Sequence, residues 1–294
     1  MRGGITITLM ALNVLFCVPI LMAVAFARLL VPVPAWRAWT ARCMAAIAEA
    51  WISGNCAILS LMGTLQLDVE GETNLKPRDW YLVVSNHQSW VDILVLQKVF
   101  NKRIPLLKFF LKQQLIWVPL LGLAWWALEF PFMRRHSSAY LAAHPEARGL
   151  DLAATRKACE RFAAMPTSVM NFVEGTRFTQ AKRIGLKSPY RHLLPPRAGG
   201  VAFVLAAMGG LLQSMIDVTI AYCDTSPSLW DLCCGRLGPV RVVVERRPIE
   251  PWTTAGDYTE DEAFRRRFQA WLSGIWTDKD RKLDQIAHLP EACQ

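Results

Sequence analysis

The sequence predicts an α/β fold in which a mostly parallel sheet is flanked by helices and preceded by an N-terminal hydrophobic membrane-anchoring helix. Three observations support this prediction. Residues 3–27 form an uncharged, strongly apolar run. After residue 64, short apolar strands alternate with segments of helical spacing, which is typical of a parallel sheet. The composition agrees, because 53% of the 294 residues are hydrophobic and 12 are tryptophan.

The N-terminal run is long enough to cross a hydrocarbon core about 30 Å thick, which requires about 20 residues. A cleaved signal peptide is the competing interpretation, but the run exceeds a usual signal core and ARLLVPVPAW after it lacks a convincing cleavage site. Arg28, Arg37 and Arg42 follow the run, which favours a cytoplasmic position for the rest of the chain. We therefore expect residues 1–64 to anchor the chain in a membrane, as one helix or as a two-helix element.

Two further apolar segments leave alternatives open. Residues 44–67 fit a helix that returns beside the first, and they also fit a helix that lies in the membrane interface, which is slightly favoured. Residues 115–133 contain the pair Trp125–Trp126, which favours contact at the depth of the lipid headgroups. The length of this segment and its breaks fit a buried core helix equally well.

The remaining residues, 65–294, predict a single domain. Strands are predicted over residues 65–70, 80–85, 168–173, 215–223 and 240–245, and helices over residues 91–100, 150–164 and 198–208. Thr259 is predicted to cap a last helix. The apolar face of that helix consists of Phe264, Phe268, Trp271, Leu272 and Ile275. Because ligands bind at the carboxyl ends of parallel strands, polar residues that follow the strands are the candidates for a functional site.

Charge and cysteine content narrow the classes of function. A net charge of +9 suits a negative partner, such as anionic lipid, a phosphate-bearing substrate or nucleic acid. We expect no nucleic acid partner, because no supporting motif is present. The eight cysteines include no CxxC pair and no histidine at ligand spacing, so no metal site is expected.

The stretch NHQSWVD, residues 86–92, directly follows the predicted strand over residues 80–85. His87 and Asp92 lie five residues apart in it. A neutral imidazole accepts a proton on one ring nitrogen when its other N–H is held, and a carboxylate fixes that tautomer. Asn86 is expected to tether the turn. A histidine and an aspartate at this spacing are more often structural, so the pair alone does not establish catalysis.

A second polar stretch, EGTR, follows the predicted strand over residues 168–173. Gly175 lets a ligand approach the backbone closely, and Thr176 offers a hydroxyl. Arg177 offers a planar guanidinium that matches a phosphate in bidentate fashion. Glu174 is expected to orient Arg177 or to hold the loop. The alternative is a surface Glu–Arg pair at a strand end, which stabilises little.

Together, NHQSWVD and FVEGTR resemble the NHxxxxD and FxEGTR motifs of the glycerolipid (lysophospholipid) acyltransferases. Between them, KFFLKQQLIWVPLLG at residues 108–122 resembles the K…L…P..G segment of that family. Residues 132–134 are similar to the end of its GxxFxxR block, and LPPRAGG at residues 194–200 loosely resembles the stretch after EGTR. The agreement covers residues 65–225 and is closest to the bacterial 1-acylglycerol-3-phosphate acyltransferase branch. Two departures are the missing glycine of GxxFxxR and the missing proline in IDVTIAY.

The resemblance implies transfer of a fatty acyl group from a thioester, on coenzyme A or acyl carrier protein, to a lysophospholipid hydroxyl. The most direct acceptor is 1-acyl-sn-glycerol-3-phosphate, with lysophosphatidylglycerol or lysocardiolipin as alternatives. His87 would be the general base and Asp92 its orienting partner. The substrate-binding residues would be Asn86, Lys108, Arg134, Glu174, Gly175, Thr176 and Arg177. No cofactor is implied, and the expected location is the cell inner membrane, with the catalytic domain facing the cytoplasm.

Two other functions compete with this interpretation. A lipid hydrolase would use Ser89 as its nucleophile, but the chain lacks the GxSxG elbow that exposes such a serine. A non-catalytic membrane adaptor would bind anionic lipid and would not need an oriented base. The basic segment over residues 179–192 is expected to be either a solvated loop or a contact for a headgroup or a carrier protein.

Overall fold

The computed structural model describes residues 1–72, 74–133, 157–223 and 227–288. Arg134, expected to bind substrate, lies outside the described residues. The helix predicted over residues 150–164 lies only partly within them, and there residues 157–163 are helical.

Two long helices begin the chain, α1 over Arg2–Leu30 and α2 over Pro34–Leu61. They form an antiparallel hairpin, since the Asn13 amide donates to the Trp51 carbonyl while the Trp36 indole donates to the Ala27 carbonyl. α2 thus returns beside α1, as in the first of the two alternatives for residues 44–67. By length and composition alone, α1 and α2 are each able to cross a membrane, a criterion that core helices and signal sequences also meet.

One six-stranded sheet forms the centre of the molecule. Its strands are β1 (Leu67–Gly71), β2 (Trp80–Ser85), β3 (Leu107–Phe109), β6 (Ser168–Phe172), β7 (Leu212–Ala221) and β8 (Val240–Arg247). The order is β1-β8-β7-β2-β6-β3, and β7–β8 is the one antiparallel pair in this sheet. The prediction of a mostly parallel sheet is confirmed. A separate pair, β4 (Leu111–Lys112) and β5 (Phe132–Met133), lies beside it.

The other helices cover both faces of the sheet. They are α3 (Val91–Phe100), α4 (Leu121–Ala127), α5 (Gln180–Gly185), α6 (Ala198–Met208), α7 (Leu229–Cys234) and α8 (Glu262–Ala287). One core cluster joins a sheet face to the hairpin through residues such as Leu21 and Met44, and a second joins the other face to α6 and α8. This two-sided burial explains why β2 is continuously apolar, since strands covered on both faces do not alternate.

The segment over residues 115–133 is not a single helix, so the core-helix alternative is wrong. A 3₁₀ turn over Gln113–Trp117 is followed by α4 and then by β5. Gly122 allows this reversal, because a Cβ there would lie 2.0 Å from the Ile116 carbonyl oxygen. Trp125 packs on the core, whereas Trp126 is 52% exposed.

The last helix begins later than predicted. Its N-cap is Asp261, whose carboxylate accepts the Phe264 N–H at 2.9 Å, and not Thr259. Thr259 lies in the turn before it, where its own N–H donates to Asp257. Of the predicted apolar face, Phe268, Leu272 and Ile275 are buried, with Phe264 and Trp271 packed against them.

Candidate active site

The two polar stretches leave the same edge of the sheet. Ser85 at the end of β2 pairs with Phe172 at the end of β6 and with Val218 of β7, so the three strands end close together. The Phe178 N–H donates to the His87 carbonyl at 2.7 Å. The structure therefore brings NHQSWVD and EGTR into direct contact, at the edge where parallel sheets bind ligands.

His87 and Asp92 form a hydrogen-bonded pair, with 2.8 Å between Nδ1 and Oδ2. The same Asp92 oxygen accepts the N–H groups of Gln88 at 2.6 Å and Ser89 at 2.9 Å. Because the neighbouring groups all donate to this carboxylate, we assign the ring proton of His87 to Nδ1 and the lone pair to Nε2. Among the described residues Nε2 has no hydrogen-bond partner, and the His87 side chain is 16% exposed. A bound ligand is thus able to donate a proton to Nε2.

Tyr222 is a site residue that sequence reasoning missed. Its hydroxyl donates to the other Asp92 oxygen at 2.5 Å. Burial and the neighbouring Asp92 carboxylate raise the pKa of Tyr222 well above its ordinary value, so it remains a phenol and a donor. Tyr222 directly follows β7, and that position after a strand end was the signal available in the sequence.

Phe172 fixes the plane of the imidazole. Its ring stacks on His87 with 3.9 Å between ring centroids and an interplanar angle of 14°. Because Phe172 is the last residue of β6, the sheet itself positions this contact. His87 is therefore held through its ring face, its Nδ1 and its backbone, and only Nε2 faces away from these contacts.

Glu174 and Asn86 hold the backbone of the site loops in position. The two Glu174 oxygens accept the N–H groups of His87 at 2.9 Å and Leu194 at 2.8 Å. The Asn86 amide exchanges two hydrogen bonds with the Ile220 backbone, at 2.8 and 2.9 Å. Both side chains are buried, so the expectation that they contact substrate is replaced by a positioning role. Of the two tasks expected of Glu174, the contacts favour holding the loop.

The Gly175–Arg177 segment forms a cationic turn beside His87, in which Arg177 is exposed and the other two residues are half-buried. Gly175 has φ of +69°, and a Cβ there would lie 3.0 Å from Cδ of Arg197. Thr176 Oγ1 accepts a hydrogen bond from Lys182 at 2.7 Å. The Arg177 guanidinium lies over the Trp90 ring, 5.4 Å from its centroid, with its donors open to solvent. This turn is able to bind an anion next to the imidazole.

Lys108 lies apart from the His87 loop. It pairs with Val169 near the start of β6, three residues or roughly 10 Å before Phe172, whose ring stacks on His87. Its ammonium is buried 5.0 Å from the Phe162 ring centroid, and burial lowers the pKa of Lys108 to about 8. It lines a cavity of about 170 Å³ under α1 and α2. The structure therefore separates Lys108 from the exposed turn at Arg177, and a role of Lys108 in substrate binding stays a prediction.

Ser89 serves the loop structure. Its hydroxyl donates to the Pro227 carbonyl and accepts the Val91 N–H at 3.1 Å. The residue is only 4% exposed. Since its proton is directed away from His87, Ser89 does not have the geometry of an activated nucleophile.

A family model described as Acyltransferase matches residues 66–223, which is more than half of the chain and includes both loops of the site. The chain belongs to this acyltransferase family. Tyr222 lies at the end of the matched region, and α1, α2 and α8 lie outside it.

Several known acyltransferases are similar in sequence. Mouse 1-acyl-sn-glycerol-3-phosphate acyltransferase gamma is 25% identical over 80% of this chain and 58% of its own length. The delta form from mouse is 26% identical over 68% of this chain and 51% of its own length. The human gamma form is 27% identical over 59% of this chain and 44% of its own length. The chain thus spans about half the length of the curated acyltransferases it matches.

A solved structure has the same fold. The crystal structure of the 1-acyl-sn-glycerophosphate (LPA) acyltransferase PlsC from Thermotoga maritima superposes with a TM-score of 0.52. It covers 98% of this chain and 99% of the other, at 17% identity. The α/β fold with its N-terminal helices is therefore shared along the whole length of the two acyltransferases.

Burial of Glu174 makes the stability of this acyltransferase depend on pH. Burial raises the pKa of Glu174 to about 8, whereas the pKa of a glutamate in an unfolded chain is about 4.3. Between these values the folded chain holds a proton that the unfolded chain has lost, so the stability due to Glu174 declines as pH rises to about 8. We expect Glu174→Gln, which cannot titrate, to remove this decline. Denaturant unfolding of both proteins at pH 5 and pH 8.5 measures it, and a difference in unfolding free energy that stays constant with pH would contradict the assignment.

Proposed function

We propose that this acyltransferase moves a fatty acyl group from an acyl thioester to the free hydroxyl of 1-acyl-sn-glycerol-3-phosphate, producing phosphatidic acid and a free thiol. The single observation that carries the proposal is the His87–Asp92 pair, at 2.8 Å, with Nε2 facing away beside a cationic turn. A base next to an anion site fits an acceptor that carries a hydroxyl and a phosphate on neighbouring carbons.

The reaction follows from these positions. His87 Nε2 takes the proton of the acceptor hydroxyl while that oxygen attacks the thioester carbonyl. Asp92 stabilises the imidazolium that forms, and Tyr222 holds the carboxylate in position by donating to its second oxygen. When the tetrahedral intermediate collapses, the carbon–sulfur bond breaks and the thiolate leaves. A thiol has a pKa of about 8.5, so the leaving group needs little acid assistance. His87 then returns its proton to the solvent or to the thiolate.

The acceptor and donor follow from chemistry and from similarity. The Gly175–Arg177 turn supplies an exposed guanidinium for the acceptor phosphate. The names of the relatives point to 1-acyl-sn-glycerol-3-phosphate for those proteins, which supports the same acceptor here. Coenzyme A and acyl carrier protein both present the acyl group as a thioester, so either serves as donor in this mechanism.

We further propose that the hairpin α1–α2 holds the enzyme at the cytoplasmic face of the inner membrane. The outward side chains of α1 are large and apolar, and 42–70% of each is exposed: Ile5, Ile7, Leu12, Leu15, Phe16, Ile20, Phe26, Leu29 and Leu30. So extensive an apolar surface on a soluble protein is unusual and marks a contact with lipid or protein. Membrane association brings the active site to a lipid acceptor that resides in the bilayer.

A panel of acceptors tests the proposed function. Purified protein in mixed micelles would receive one acyl thioester and, separately, lysophosphatidic acid, lysophosphatidylglycerol or lysocardiolipin, with each product identified by mass. We expect phosphatidic acid to form fastest. Running the panel with acyl-coenzyme A and with acyl-acyl carrier protein identifies the donor. Faster acylation of lysocardiolipin or lysophosphatidylglycerol would overturn the acceptor assignment.

Removing the Tyr222 hydroxyl should slow turnover without weakening substrate binding. Tyr222→Phe deletes one of the donors to the ionised Asp92, and a hydrogen bond to a charged group contributes about 1.5–3 kcal/mol. Because Asp92 stabilises the imidazolium of the transition state, we expect kcat to fall about tenfold with KM nearly unchanged. Steady-state kinetics at saturating donor measures both constants. An unchanged kcat would contradict a role for Tyr222 in supporting the pair.

A further inference from the structure

Lys182 lies in the basic segment after EGTR, outside both sequence motifs, and its side chain folds back onto the site. The Thr179 hydroxyl caps α5 by accepting the Lys182 N–H at 3.2 Å, which places Lys182 in the first turn of that helix. Its ammonium donates to Thr176 Oγ1 at 2.7 Å and to the Arg177 carbonyl at 2.9 Å. Lys182 therefore touches the very turn that lies beside His87.

The ammonium retains one donor for a ligand. A lysine ammonium has three N–H groups. Two of them bind Thr176 and Arg177, and the described residues provide no third acceptor. Because both contacts hold the nitrogen at the turn, the third N–H of this exposed residue is open to a ligand that binds beside the turn.

Positive charge accumulates around this turn. Partial burial lowers the pKa of Lys182, the nearby charges of Arg177 and Lys112 lower it further, and Glu174 opposes them. Arg197 adds a fourth cation, with its Cδ 3.0 Å from the position of a Cβ on Gly175. Within the described ranges, none of these four side chains forms an ion pair with a carboxylate. Beneath the turn, the Glu174 carboxyl group is buried and accepts two backbone N–H groups.

We propose that Lys182 is a specificity-determining residue that selects acceptors whose headgroup is a phosphomonoester over acceptors whose headgroup is a phosphodiester. The proposal rests on the proposed function. A phosphomonoester carries a charge of about −1.5 to −2 at pH 7, whereas a phosphodiester carries a single negative charge. The additional charge and the additional terminal oxygen of the monoester are what an extra fixed cation recognises.

Coenzyme A also carries a phosphomonoester, at the 3′ position of its ribose. In lysophosphatidic acid the reacting hydroxyl and the phosphate are on neighbouring carbons, whereas the 3′-phosphate lies at the far end of the pantetheine arm from the thioester. The Phe178 N–H binds the His87 carbonyl at 2.7 Å, so the turn that Lys182 contacts is next to the reacting atoms. Because of this proximity, we assign the anion site at Lys182 to the phosphate of the acceptor.

The test compares Lys182→Gln with Arg183→Gln, a matched control on the same helix that loses the same charge one residue away. Values of kcat/KM would be measured for lysophosphatidic acid and for lysophosphatidylglycerol with one acyl donor. Since a charge-assisted hydrogen bond is lost, we expect Lys182→Gln to lower the preference for lysophosphatidic acid about tenfold, mainly through KM. Lys182→Arg should retain most of the preference, and Arg183→Gln should leave it within about twofold of wild type.

Two outcomes would overturn the proposal. If Lys182→Gln lowered kcat/KM equally for both acceptors, Lys182 would only support the structure of the turn. If the loss of activity appears with acyl-coenzyme A and disappears with acyl-dephospho-coenzyme A, Lys182 would bind the 3′-phosphate of the donor and not the phosphate of the acceptor. Binding of each lysophospholipid without donor gives a readout independent of turnover. A wild-type protein that prefers to bind the monoester, through Lys182, but transfers no acyl group would refute the proposed function and leave this inference standing.

Discussion

Replacing His87 with alanine is expected to lower kcat for acyl transfer by about 10²–10⁴-fold, the usual contribution of a general base. His87 has its Nδ1 on Asp92 at 2.8 Å and its Nε2 open, which is the geometry required to take the acceptor proton. KM should change little, because Arg177 and its neighbouring cations, which we propose bind the acceptor, remain in place. Steady-state kinetics with lysophosphatidic acid and one acyl thioester measures both constants.

The control for this experiment is Ser89→Ala in the same loop. The Ser89 hydroxyl is bound to Pro227 and Val91, so its loss should cost stability and leave kcat within a few-fold of wild type. If Ser89→Ala instead abolished turnover while His87→Ala retained it, direct attack by the acceptor would be wrong. A serine nucleophile and an acyl-enzyme would then have to be considered.

Replacing Lys279 with methionine is expected to destabilise the fold by up to about 3–5 kcal/mol, because the buried Asp217 carboxylate then keeps only Arg247, at 3.1 Å, as an ion-pair partner among the described residues. Lys279 of α8 is 1% exposed, and its ammonium lies 2.6 Å from the buried Asp217 carboxylate on β7. It also donates to the Val218 carbonyl at 2.6 Å and to Thr219 Oγ1 at 3.1 Å. Denaturant unfolding of detergent-solubilised protein measures the loss.

Arg281→Ala on the same helix is the matched control. Its side chain is 65% exposed in a surface pair with Asp278, so its loss should change stability by no more than about 0.5 kcal/mol. The double variant Asp217→Asn with Lys279→Met removes both charges, and we expect it to recover part of the loss. A Lys279→Met variant as stable as wild type would show that this ion pair does not hold α8 on the sheet.

Much of the fold could be predicted from the sequence, because a strand that is buried on both faces is continuously apolar. β2 and α3 begin and end at the predicted residues, since a continuously apolar strand is followed by polar residues and then by helical spacing. The approach of His87 to Asp92 follows from the same change, because a turn into α3 folds the carboxylate back under the ring. The start of α8 was misplaced, since Asp257, Thr259 and Asp261 are all good caps and only the packing decides among them.

The remainder of the site depends on contacts between residues far apart in the chain. Tyr222 reaches Asp92 from 130 residues away, and its position after a strand end does not indicate which residue it contacts. Lys108 and Lys182 were hard to tell apart in sequence, since both are lysines near a motif. The Lys108 side chain is buried, whereas the Lys182 side chain contacts Thr176. The burial of Lys279 was equally hidden, because it lies in the charged stretch TDKDRKLD.

The most direct test of the account is whether thioester consumption by the purified protein requires the acceptor. Free thiol and phosphatidic acid would be measured together, with labelled acyl thioester, in the presence and absence of lysophosphatidic acid. We predict equal amounts of thiol and phosphatidic acid when the acceptor is present, and almost no thiol when it is absent, because His87 then has no hydroxyl to activate except that of water. Equal release of thiol with and without acceptor, with free fatty acid as the product, would contradict acyl transfer and show a hydrolase.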